Sequence, residues 1–526
     1  MLSEYKNLFF IYSIGISFIF LVSLTTYIFL NKNYSILNKK ITIYIFSSSF
    51  IFYILSISSL TFYKINALHH YVDFATHLEI LWRNSQGNGL TTLMSDEYHG
   101  GSHWFAAHFT PIVFLTYAPF FKIFPFPYTL QIVETIFLSS SLIPLWLISK
   151  KYFNENLSRI FISSFLFFPT IFYINLYGVA YLELCIPFLL FLFYFFEEKK
   201  NTMFFLFLIL CLMIREEVAL VTCFFGIYII FKKRYLLGTT TLITSLIYFY
   251  IVIFIIMPSF RDGNETLLAS VLYQHLGNTY SEILINIVIN PLDTLDKIFN
   301  APRIGSFVMF LIPLMFTPLF EITVFLISIP NLMMTFLSQS ITHSNFILYY
   351  LSPSIPVFFY AGILGIYRIS KWKPVNKSAL ISSVLAASIM STIFFGATPI
   401  SIAFWNQKYT VGNFYTTNFH RTAYFEEERD TVAKKIAKLV PDNAVVSAEQ
   451  HLLPLLFKKK KMVIFPSSDE EIKYVLIDRF NPKKTGGPEE NVLRSNPELE
   501  YSKFLKSSEW KVIKEEKGII LFKKIK

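Results

Sequence analysis

Residues 41–63 read ITIYIFSSSFIFYILSISSLTFY, and this stretch decides the class of fold. It holds no charged residue, and a helix rising about 1.5 Å per residue needs about 20 such residues to cross the hydrocarbon layer of a bilayer. Lys39 and Lys40 precede the stretch, and Lys64 follows it. The stretch therefore predicts a membrane-spanning helix.

The same pattern recurs along most of the chain. Several of the runs are shorter than a perpendicular helix needs, so residues 202–231 and 305–338 are interpreted as paired or broken helices. Charged residues make up 15% of the chain and the mean hydropathy is +0.50, whereas a soluble domain is typically about 25% charged. We predict an α-helical polytopic membrane protein with about twelve transmembrane helices. The other apolar runs lie at residues 8–30, 127–148, 157–175, 183–196, 202–214, 217–231, 235–257, 305–320, 322–338, 347–367 and 378–399.

Basic residues between the runs predict the orientation in the membrane. They fall between alternate pairs of runs, and cytoplasmic loops are enriched in Lys and Arg, so this face is predicted to be cytoplasmic. The N-terminus, the loops 64–108 and 258–304 and the tail then lie outside. The first run is interpreted as an anchor rather than a signal peptide, because its apolar stretch is too long and no small-residue cleavage site follows. The basic clusters are Lys32, Lys39 and Lys40; Lys150, Lys151 and Arg159; Lys199 and Lys200; Lys232, Lys233 and Arg234; and Arg368, Lys371, Lys373 and Lys377.

The composition changes after Trp405. A charged amphipathic segment, EEERDTVAKKIAKLV, is followed by the strand-like runs AVVSA, MVIFP and YVLID, with a second helical stretch near Gln450 to Phe457. WKVIKEE and GIILFKKI then read as two final strands. We predict a transmembrane domain over residues 1–400 with a large outer loop at 64–108, and a small extracytoplasmic α/β domain over 401–526.

Charge and cysteine content exclude two classes of function. The formal net charge is +11, but it is divided among short loops and a mixed-charge tail, so no nucleic-acid binding is predicted. Lys458 to Lys461 are interpreted as a solvated loop. Cys185, Cys211 and Cys223 each lie inside an apolar run, which indicates neither a disulfide framework nor a zinc site.

The loop 64–108 is the first candidate for chemistry. Asp73 stands just beyond a predicted transmembrane helix and opens an amphipathic segment, so it is either a catalytic carboxylate or an interfacial residue. Histidines and carboxylates bind divalent cations and act as general bases, but no pair here has the spacing of a known metal motif. Ordinary polar loop residues are the alternative. The histidines of this loop are His69, His70, His77, His99, His103 and His108, and further acids are Glu79, Asp96 and Glu97.

A second candidate is the triplet Arg215-Glu216-Glu217, between two short apolar runs. Charges at such a position are costly unless they are paired or face water, so the triplet is either a functional site or a hairpin tip with a local ion pair. The topology places it on the same outer face as Asp73. Glu183 falls on that face by the same count, and His343 lies in a short outer turn.

These residues lie in stretches that resemble a widespread prokaryotic family of predicted membrane proteins, the domain-of-unknown-function family two-zero-seven-nine. That family is itself similar to the GT-C glycosyltransferases. This chain departs from the family pattern in having Tyr181-Leu182 where His-Pro is common, and Arg215 where Lys is common. The stretches are VDFATHLEILWRNSQGNG, SHWFAAHFTPIVFLTYAPFFKIFPFPYTLQIVE, LELCIPFLLFLFYF, LMIREEVAL and VPDNAVVSAEQHLLPLLFKKKKMVIFP.

The resemblance implies a GT-C-like enzyme of the cytoplasmic membrane that moves a sugar from a polyprenyl-phosphate donor, in the lipid of the outer leaflet, to an envelope acceptor. GT-C enzymes carry an acidic residue in the first outer loop, and Asp73 matches that position. Arg215 is then expected to hold the phosphate, with Glu216, Glu217, Glu183 and His343 as further substrate-binding candidates. A divalent cation held by His103 and His108 stays open. The alternatives are a transporter or lipid flippase and a noncatalytic envelope scaffold.

Overall fold

The computed structural model describes residues 2–70, 72–94, 101–261, 272–372, 375–407, 409–411, 414–415, 419–467, 469–480, 501, 504–505 and 507–525. Helices dominate up to residue 405. The first twelve are α1 (Leu2–Lys32), α2 (Lys39–Asn66), α3 (Val72–Ser85), α4 (Tyr117–Ile123), α5 (Pro127–Ser140), α6 (Leu142–Tyr152), α7 (Glu155–Leu166), α8 (Pro169–Tyr177), α9 (Cys185–Glu197), α10 (Asn201–Leu212), α11 (Val218–Phe231) and α12 (Tyr235–Ile251).

Helix α12 continues through a π-helical turn, Val252–Ile256, into Met257–Ser259. Short 3-10 turns join several of the later helices. These helices are α13 (Tyr280–Ile289), α14 (Pro291–Ile298), α15 (Ala301–Leu311), α16 (Ile322–Phe325), α17 (Ile329–Leu337), α18 (Ser354–Ile369), α19 (Lys377–Phe395), α20 (Ile402–Trp405) and α21 (Glu428–Ala437).

Within the described residues, six helical segments are long and apolar enough to cross a membrane. Helices α7 and α8 form a seventh candidate that bends by 47° at the break before Pro169, where a proline removes a backbone donor. Every predicted apolar run contains helix, which confirms the polytopic class, and Pro111–Ile123 is an additional apolar helix. The six segments are Ser13–Lys32, Lys39–Asn66, Pro127–Tyr152, Tyr235–Ser259, Thr317–Leu337 and Lys377–Phe395.

The two regions predicted to be broken are broken in different ways. Helices α10 and α11 are separated by the segment that carries Arg215, and they lie next to each other as a hairpin. The region 305–338 breaks at Met315 and Phe316, which both have positive φ angles of 49° and 56°. That conformation is costly for side chains with a Cβ, so packing on both sides must hold it.

Glycines let two neighbouring helices of this bundle approach closely. A Cβ added at Gly226 of α11 would lie 2.9 Å from the carbonyl oxygen of Gly238 on α12, and one added at Gly238 would lie 2.7 Å from the carbonyl oxygen of Gly226. Small residues at such crossings are how membrane helices bring their backbones together. Thr222 and Ser245 add a buried hydrogen bond of 2.8 Å across the same pair.

Segments that carry the basic clusters meet at one end of the bundle. Lys151 forms a 2.8 Å ion pair with Glu198, at the end of α9. Lys377 donates to the carbonyl oxygen of Tyr152 at 3.3 Å. Thr42, beside Lys39 and Lys40, lies 3.3 Å from Asn156. These contacts bring segments from different clusters together at the same end of the bundle, as the sequence predicted.

The tail forms the predicted small α/β unit. Five strands pair in the order β4-β3-β5-β7-β6, parallel among the first three and antiparallel thereafter. The stretch 450–457 forms only a short 3-10 turn, Leu453–Leu455, instead of the predicted helix, because Pro454 cannot continue one. The strands are β1 (Thr410–Val411) and β2 (Phe414–Tyr415), which pair apart from the main sheet, and β3 (Val445–Ala448), β4 (Lys461–Ile464), β5 (Tyr474–Asp478), β6 (Trp510–Glu516) and β7 (Ile519–Lys524).

The tail packs on the outer loop rather than standing apart from it. The ring of Phe457 meets the ring of Trp82, on α3, at 6.2 Å between centroids. The ammonium of Lys458 lies 5.2 Å from the Trp82 ring centre, so this exposed lysine has an aromatic partner. Lys434 of α21 donates to Asn66, the last residue of α2, at 3.2 Å. The tail thus lies at the end of the bundle that carries α3.

Candidate functional site

Four separated segments bring ionisable groups to the end of the bundle that carries α3. Asp73 lies in the first turn of α3, where the helix dipole favours a negative charge. His108 follows a 3-10 turn, Trp104–Ala106, in the same outer loop. Arg215 lies in the break between α10 and α11, and Tyr349 opens a 3-10 turn just before α18. Helix ends are useful for this purpose, because they leave backbone groups and side chains pointing out of the apolar layer.

Asp73 is held by a tyrosine and lies within the electrostatic reach of Arg215. The hydroxyl of Tyr177, the last residue of α8, donates to Oδ2 of Asp73 at 2.5 Å. Burial raises the pKa of the Asp73 carboxyl above its ordinary value, while the Tyr177 hydrogen bond and the charge of Arg215 partly offset that rise. A carboxylate in this state is a stronger base than an exposed aspartate.

Arg215 is the centre of the charged group. Its Nε lies 3.0 Å from Oε2 of Glu217 and 3.1 Å from Nδ1 of His108. Glu216 accepts from the His108 ring at 2.8 Å and from the backbone N–H of Phe109 at 3.0 Å. All three members of the triplet are buried, with side chains at most 11% exposed. The triplet is a hairpin tip with a local ion pair between Arg215 and Glu217, and through Glu216 it also ties the α10–α11 break to the outer loop.

Burial and neighbouring charges shift the pKa values of the two glutamates in opposite directions. Burial alone would raise the pKa of the Glu216 carboxyl, but His108 and Arg215 outweigh it, so that pKa lies below its ordinary value. The pKa of Glu217 is raised, because burial and the charge of Glu216 exceed the attraction of Arg215. Burial and Arg215 lower the pKa of His108. The group therefore has one glutamate that stays ionised and one that takes up a proton more readily.

His108, Glu216 and Glu217 could together hold a metal ion. Their ligand atoms lie within 4.8 Å of one another, and an imidazole with two carboxylates suits divalent cations. The guanidinium of Arg215, however, already contacts two of these three side chains. The residues fit a divalent cation only if Arg215 moves away, so the arrangement favours the guanidinium as the resident positive charge.

The structure does not bring His103 to this group. Its ring stacks on Phe260 at 4.4 Å, and its Nδ1 accepts from the backbone N–H of Phe105 at 3.1 Å. Two further histidines of the loop also contact aromatic rings: His70 lies 4.2 Å from the ring of Phe74, and His77 lies 4.4 Å from that of Tyr181. Asp96, Glu97 and His99 lie outside the described residues.

Glu183 lies close by, but its contacts are with its own turn and with the first residue of α4. Its Oε1 accepts from the hydroxyl of Tyr117 at 3.1 Å and from the backbone N–H groups of Ala180 and Tyr181 at 3.4 and 3.0 Å. Tyr181 has a positive φ of 64°, so the carboxylate caps a strained turn. No described residue hydrogen-bonds its other oxygen. Glu183 therefore holds the turn before α9 in place, and its role in substrate binding stays a prediction.

A row of aromatic rings that the sequence did not single out joins Asp73 to His343. The ring of Tyr177 lies 5.0 Å from that of Tyr349, Tyr349 lies 4.2 Å from Tyr350, and Tyr350 lies 4.1 Å from the ring of His343. His343 also hydrogen-bonds Ser338 at 2.8 Å. Burial, with Arg215 and His108 nearby, lowers the pKa of His343 to about 4, so its ring is neutral at physiological pH.

Comparison with known proteins gives a family and a distant structural likeness. A family model described as predicted membrane protein (DUF2079) matches residues 64–521. No curated protein matches the chain at a significant level. The structure of ArnT from Cupriavidus metallidurans bound to undecaprenyl phosphate aligns with 90% of this chain and 97% of its own, at 10% identity and a TM-score of 0.48. Its apo form aligns with 90% and 98% at 10% identity and a TM-score of 0.44.

Proposed function

We propose that this chain, which belongs to the DUF2079 family of predicted membrane proteins, is a glycosyltransferase that takes a sugar from a polyprenyl-phosphate donor. The observation that carries the proposal is a half-buried carboxylate with a raised pKa, Asp73, that lies close enough to the buried guanidinium of Arg215 for this charge to lower its pKa. Transfer from a phosphate needs a base for the acceptor and a positive charge for the leaving group, and these two residues supply both.

Asp73 is the proposed general base. Its carboxylate takes the proton of an acceptor hydroxyl as the acceptor oxygen forms a bond to the anomeric carbon of the sugar. The hydroxyl of Tyr177 fixes Oδ2 at 2.5 Å, so Oδ1 is the oxygen available to the acceptor. Burial raises the pKa of the carboxyl and so strengthens the base, while the charge of Arg215 keeps it ionised more readily than burial alone would allow.

Arg215 is the proposed phosphate ligand. As the bond between the anomeric carbon and the phosphate oxygen breaks, the electron pair leaves with that oxygen, and the polyprenyl phosphate gains a negative charge. A guanidinium binds such oxygens with charge-assisted, often bidentate hydrogen bonds. Glu217 holds Nε of Arg215 at 3.0 Å, so it orients the guanidinium before donor binds.

The acceptor is proposed to be an envelope component, and the aromatic row of Tyr177, Tyr349 and Tyr350 supports a sugar acceptor or donor. Aromatic rings offer flat apolar faces with a polar edge, which suits the faces of a pyranose ring.

A donor screen tests the proposal. The purified protein is incubated with polyprenyl-phosphate sugars carrying a labelled sugar, and release of label to water or to an added envelope fraction is followed. Turnover that Asp73→Asn abolishes supports the enzyme. Transbilayer movement of intact donor in proteoliposomes, with no cleavage by the wild-type protein, would instead identify a flippase.

The site and the tail are proposed to lie outside the cytoplasm, in the cytoplasmic membrane. A reporter that is active only in the cytoplasm, fused after Lys526, should be silent, because the basic cluster from Arg368 to Lys377 is followed by a single apolar helix, α19. The same reporter fused after Lys200 serves as the matched positive control. Activity of the first fusion would overturn the orientation.

A further inference from the structure

A second charged region lies at the opposite end of the same helices. It is a cavity of 510 Å³ formed at the C-terminal ends of α9, α11 and α18, with Tyr152 and Glu321 completing its wall. Glu183 lies just before α9, Glu217 just before α11 and Tyr350 a few residues before α18. Three helices therefore connect the candidate site to this cavity, and the cavity faces away from Asp73.

The cavity carries more positive than negative side chains. Lys199, Lys232 and Lys371 are exposed at its wall, and none of the three forms an ion pair with any residue that the structure describes. The ammonium of Lys232 lies 5.1 Å from the ring centre of Tyr228, and that of Lys371 lies 4.3 Å from that of Tyr367. The aromatic rings hold the lysine stems in place without neutralising their charge.

The two acids of the cavity wall already have partners. Glu197 accepts from the hydroxyl of Tyr360 at 2.5 Å. Glu321 accepts from Thr323 at 2.7 Å and lies 3.5 Å from Arg368. Arg234 is also satisfied, by the carbonyl oxygen of Phe196 at 2.9 Å. The wall therefore has five cationic side chains and two acids, an excess of three positive charges, and Lys199, Lys232 and Lys371 are the exposed lysines among them.

An apolar rim borders this cluster. Arg368, at the cavity, donates to the carbonyl oxygen of Phe320 at 2.9 Å. Phe320 is 38% exposed and meets the 51% exposed Trp372 edge-on at 5.7 Å. Ile322, in the segment Thr317–Leu337 that is long and apolar enough to span the membrane, is also exposed. Lysines beside exposed aromatic and aliphatic side chains are the arrangement expected where headgroups meet acyl chains.

We infer that this cavity binds the headgroup of an anionic phospholipid, with Lys199, Lys232 and Lys371 around the phosphate and the acyl chains along Phe320 and Ile322. A soluble phosphate would match the lysines but would leave the apolar rim uncovered. A bound headgroup would join the ends of α9, α11 and α18, the three helices that also carry the candidate site at their other ends. The lipid would therefore stabilise the frame in which the site is held.

Lipid binding to the purified, detergent-solubilised full chain tests the inference. Dioleoyl phosphatidylglycerol is titrated and the bound molecules are counted by native mass spectrometry, with phosphatidylcholine as the zwitterionic comparison. The triple variant Lys199→Gln, Lys232→Gln and Lys371→Gln should bind the anionic lipid about 100-fold more weakly, since each lysine beside an anionic headgroup contributes a factor of roughly five. The control triple variant is Lys32→Gln, Lys39→Gln and Lys40→Gln, which removes the same charge from the same face but outside the cavity.

The outcomes separate the possibilities. Loss of binding in the cavity variant alone, with the control unchanged, supports the site. Equal loss in both triple variants would show a diffuse charge effect and overturn it. Glycerol 3-phosphate that competes as well as the lipid would show that the cavity takes a soluble phosphate instead. Melting curves of the single variant Lys232→Gln with and without lipid keep the test decisive if the triple variant folds poorly.

Discussion

The two ends of α9, α11 and α18 differ in how their charged side chains are buried and paired. At the end that carries Asp73, the side chains of Arg215, Glu216 and Glu217 are buried and each is held by a neighbour, and Arg215 is shared between two side chains at 3.0 and 3.1 Å. At the other end, the acids are paired while three lysines are exposed. A buried charge is costly unless it is compensated, whereas an exposed one is screened by water. The first arrangement suits chemistry on a bound substrate, and the second suits reversible recognition of a headgroup.

The largest effect is expected from Asp73→Asn. Because the variant keeps the shape but loses the basicity, transfer should fall by about 10²–10⁴-fold, the range that general acid–base groups contribute. Steady-state transfer of a labelled sugar measures this. The matched control is Glu79→Gln on the same helix, because the Glu79 carboxylate accepts from Thr92 at 2.7 Å and from the backbone N–H of Leu93 at 3.3 Å and has no proposed role in the transfer. Full activity in Asp73→Asn would remove the catalytic assignment even if the protein proves to be a transferase.

Arg215→Ala should follow, with a loss of about 10–100-fold in transfer efficiency, since hydrogen bonds to charged groups contribute roughly 1.5–3 kcal/mol. Arg215→Lys should be milder, because it keeps the charge and loses only the planar fork. Initial rates over a range of donor concentrations separate binding from turnover. An unchanged KM for the donor in Arg215→Ala would contradict a role in phosphate binding.

The two metal candidates should behave differently. His108→Ala removes a ring that contacts both Arg215 and Glu216, so activity should fall by about tenfold. His103→Ala, whose ring packs on Phe260, should change activity by less than about twofold. Assays with added Mg²⁺ or Mn²⁺ and with a chelator complete the comparison. Rescue of His108→Ala by excess divalent cation would show that a metal, and not Arg215, is the resident positive charge.

The smallest expected effect is a change in how stability depends on pH. The folded protein favours the protonated carboxyl of Asp73, because its pKa is raised there. The contribution of this group to the free energy of unfolding is therefore present at acidic pH and is lost as the pH rises through the raised value. Asp73→Asn should therefore melt at a higher temperature than the wild type at pH 7, by a few degrees. The advantage should shrink toward pH 4.

His343 should show the opposite sign, because its pKa is lowered to about 4. The folded protein favours the neutral ring of His343, so the contribution of this ring to the free energy of unfolding is fully present above the ordinary histidine pKa near 6.5 and is lost as the pH falls toward 4. Because glutamine does not titrate, His343→Gln should lose less stability than the wild type as the pH falls from 6.5 toward 4. Melting temperatures of the two variants between pH 4 and pH 8 measure both signs, and parallel curves for all three proteins would contradict the pKa shifts.

The sequence pointed to Asp73 because it stands just beyond a predicted transmembrane helix, and to Arg215–Glu217 because consecutive charges between two apolar runs are costly unless they are paired or face water. It also grouped His103 with His108, but a 3-10 turn, Trp104–Ala106, lies between them, and their side chains contact different residues. No sequence pattern distinguishes Tyr177, Tyr349 and Tyr350 among the 31 tyrosines. Glu183 was predicted at the correct end of its helix, but only the structure shows that it caps its own turn.

The membrane class, the helical runs, the common face of the basic clusters and the mixed α/β tail could all be predicted from the amino-acid sequence. Hydropathy and charge bias are local properties that the bilayer imposes on each spanning segment separately, and strand alternation in the tail is local as well. Only the tertiary structure decided which side chains meet: Tyr177 with Asp73 across 104 positions, Arg215 with His108 across 107, and the three lysines around one cavity. Such contacts depend on how distant helices pack, and no local pattern in the chain encodes that packing.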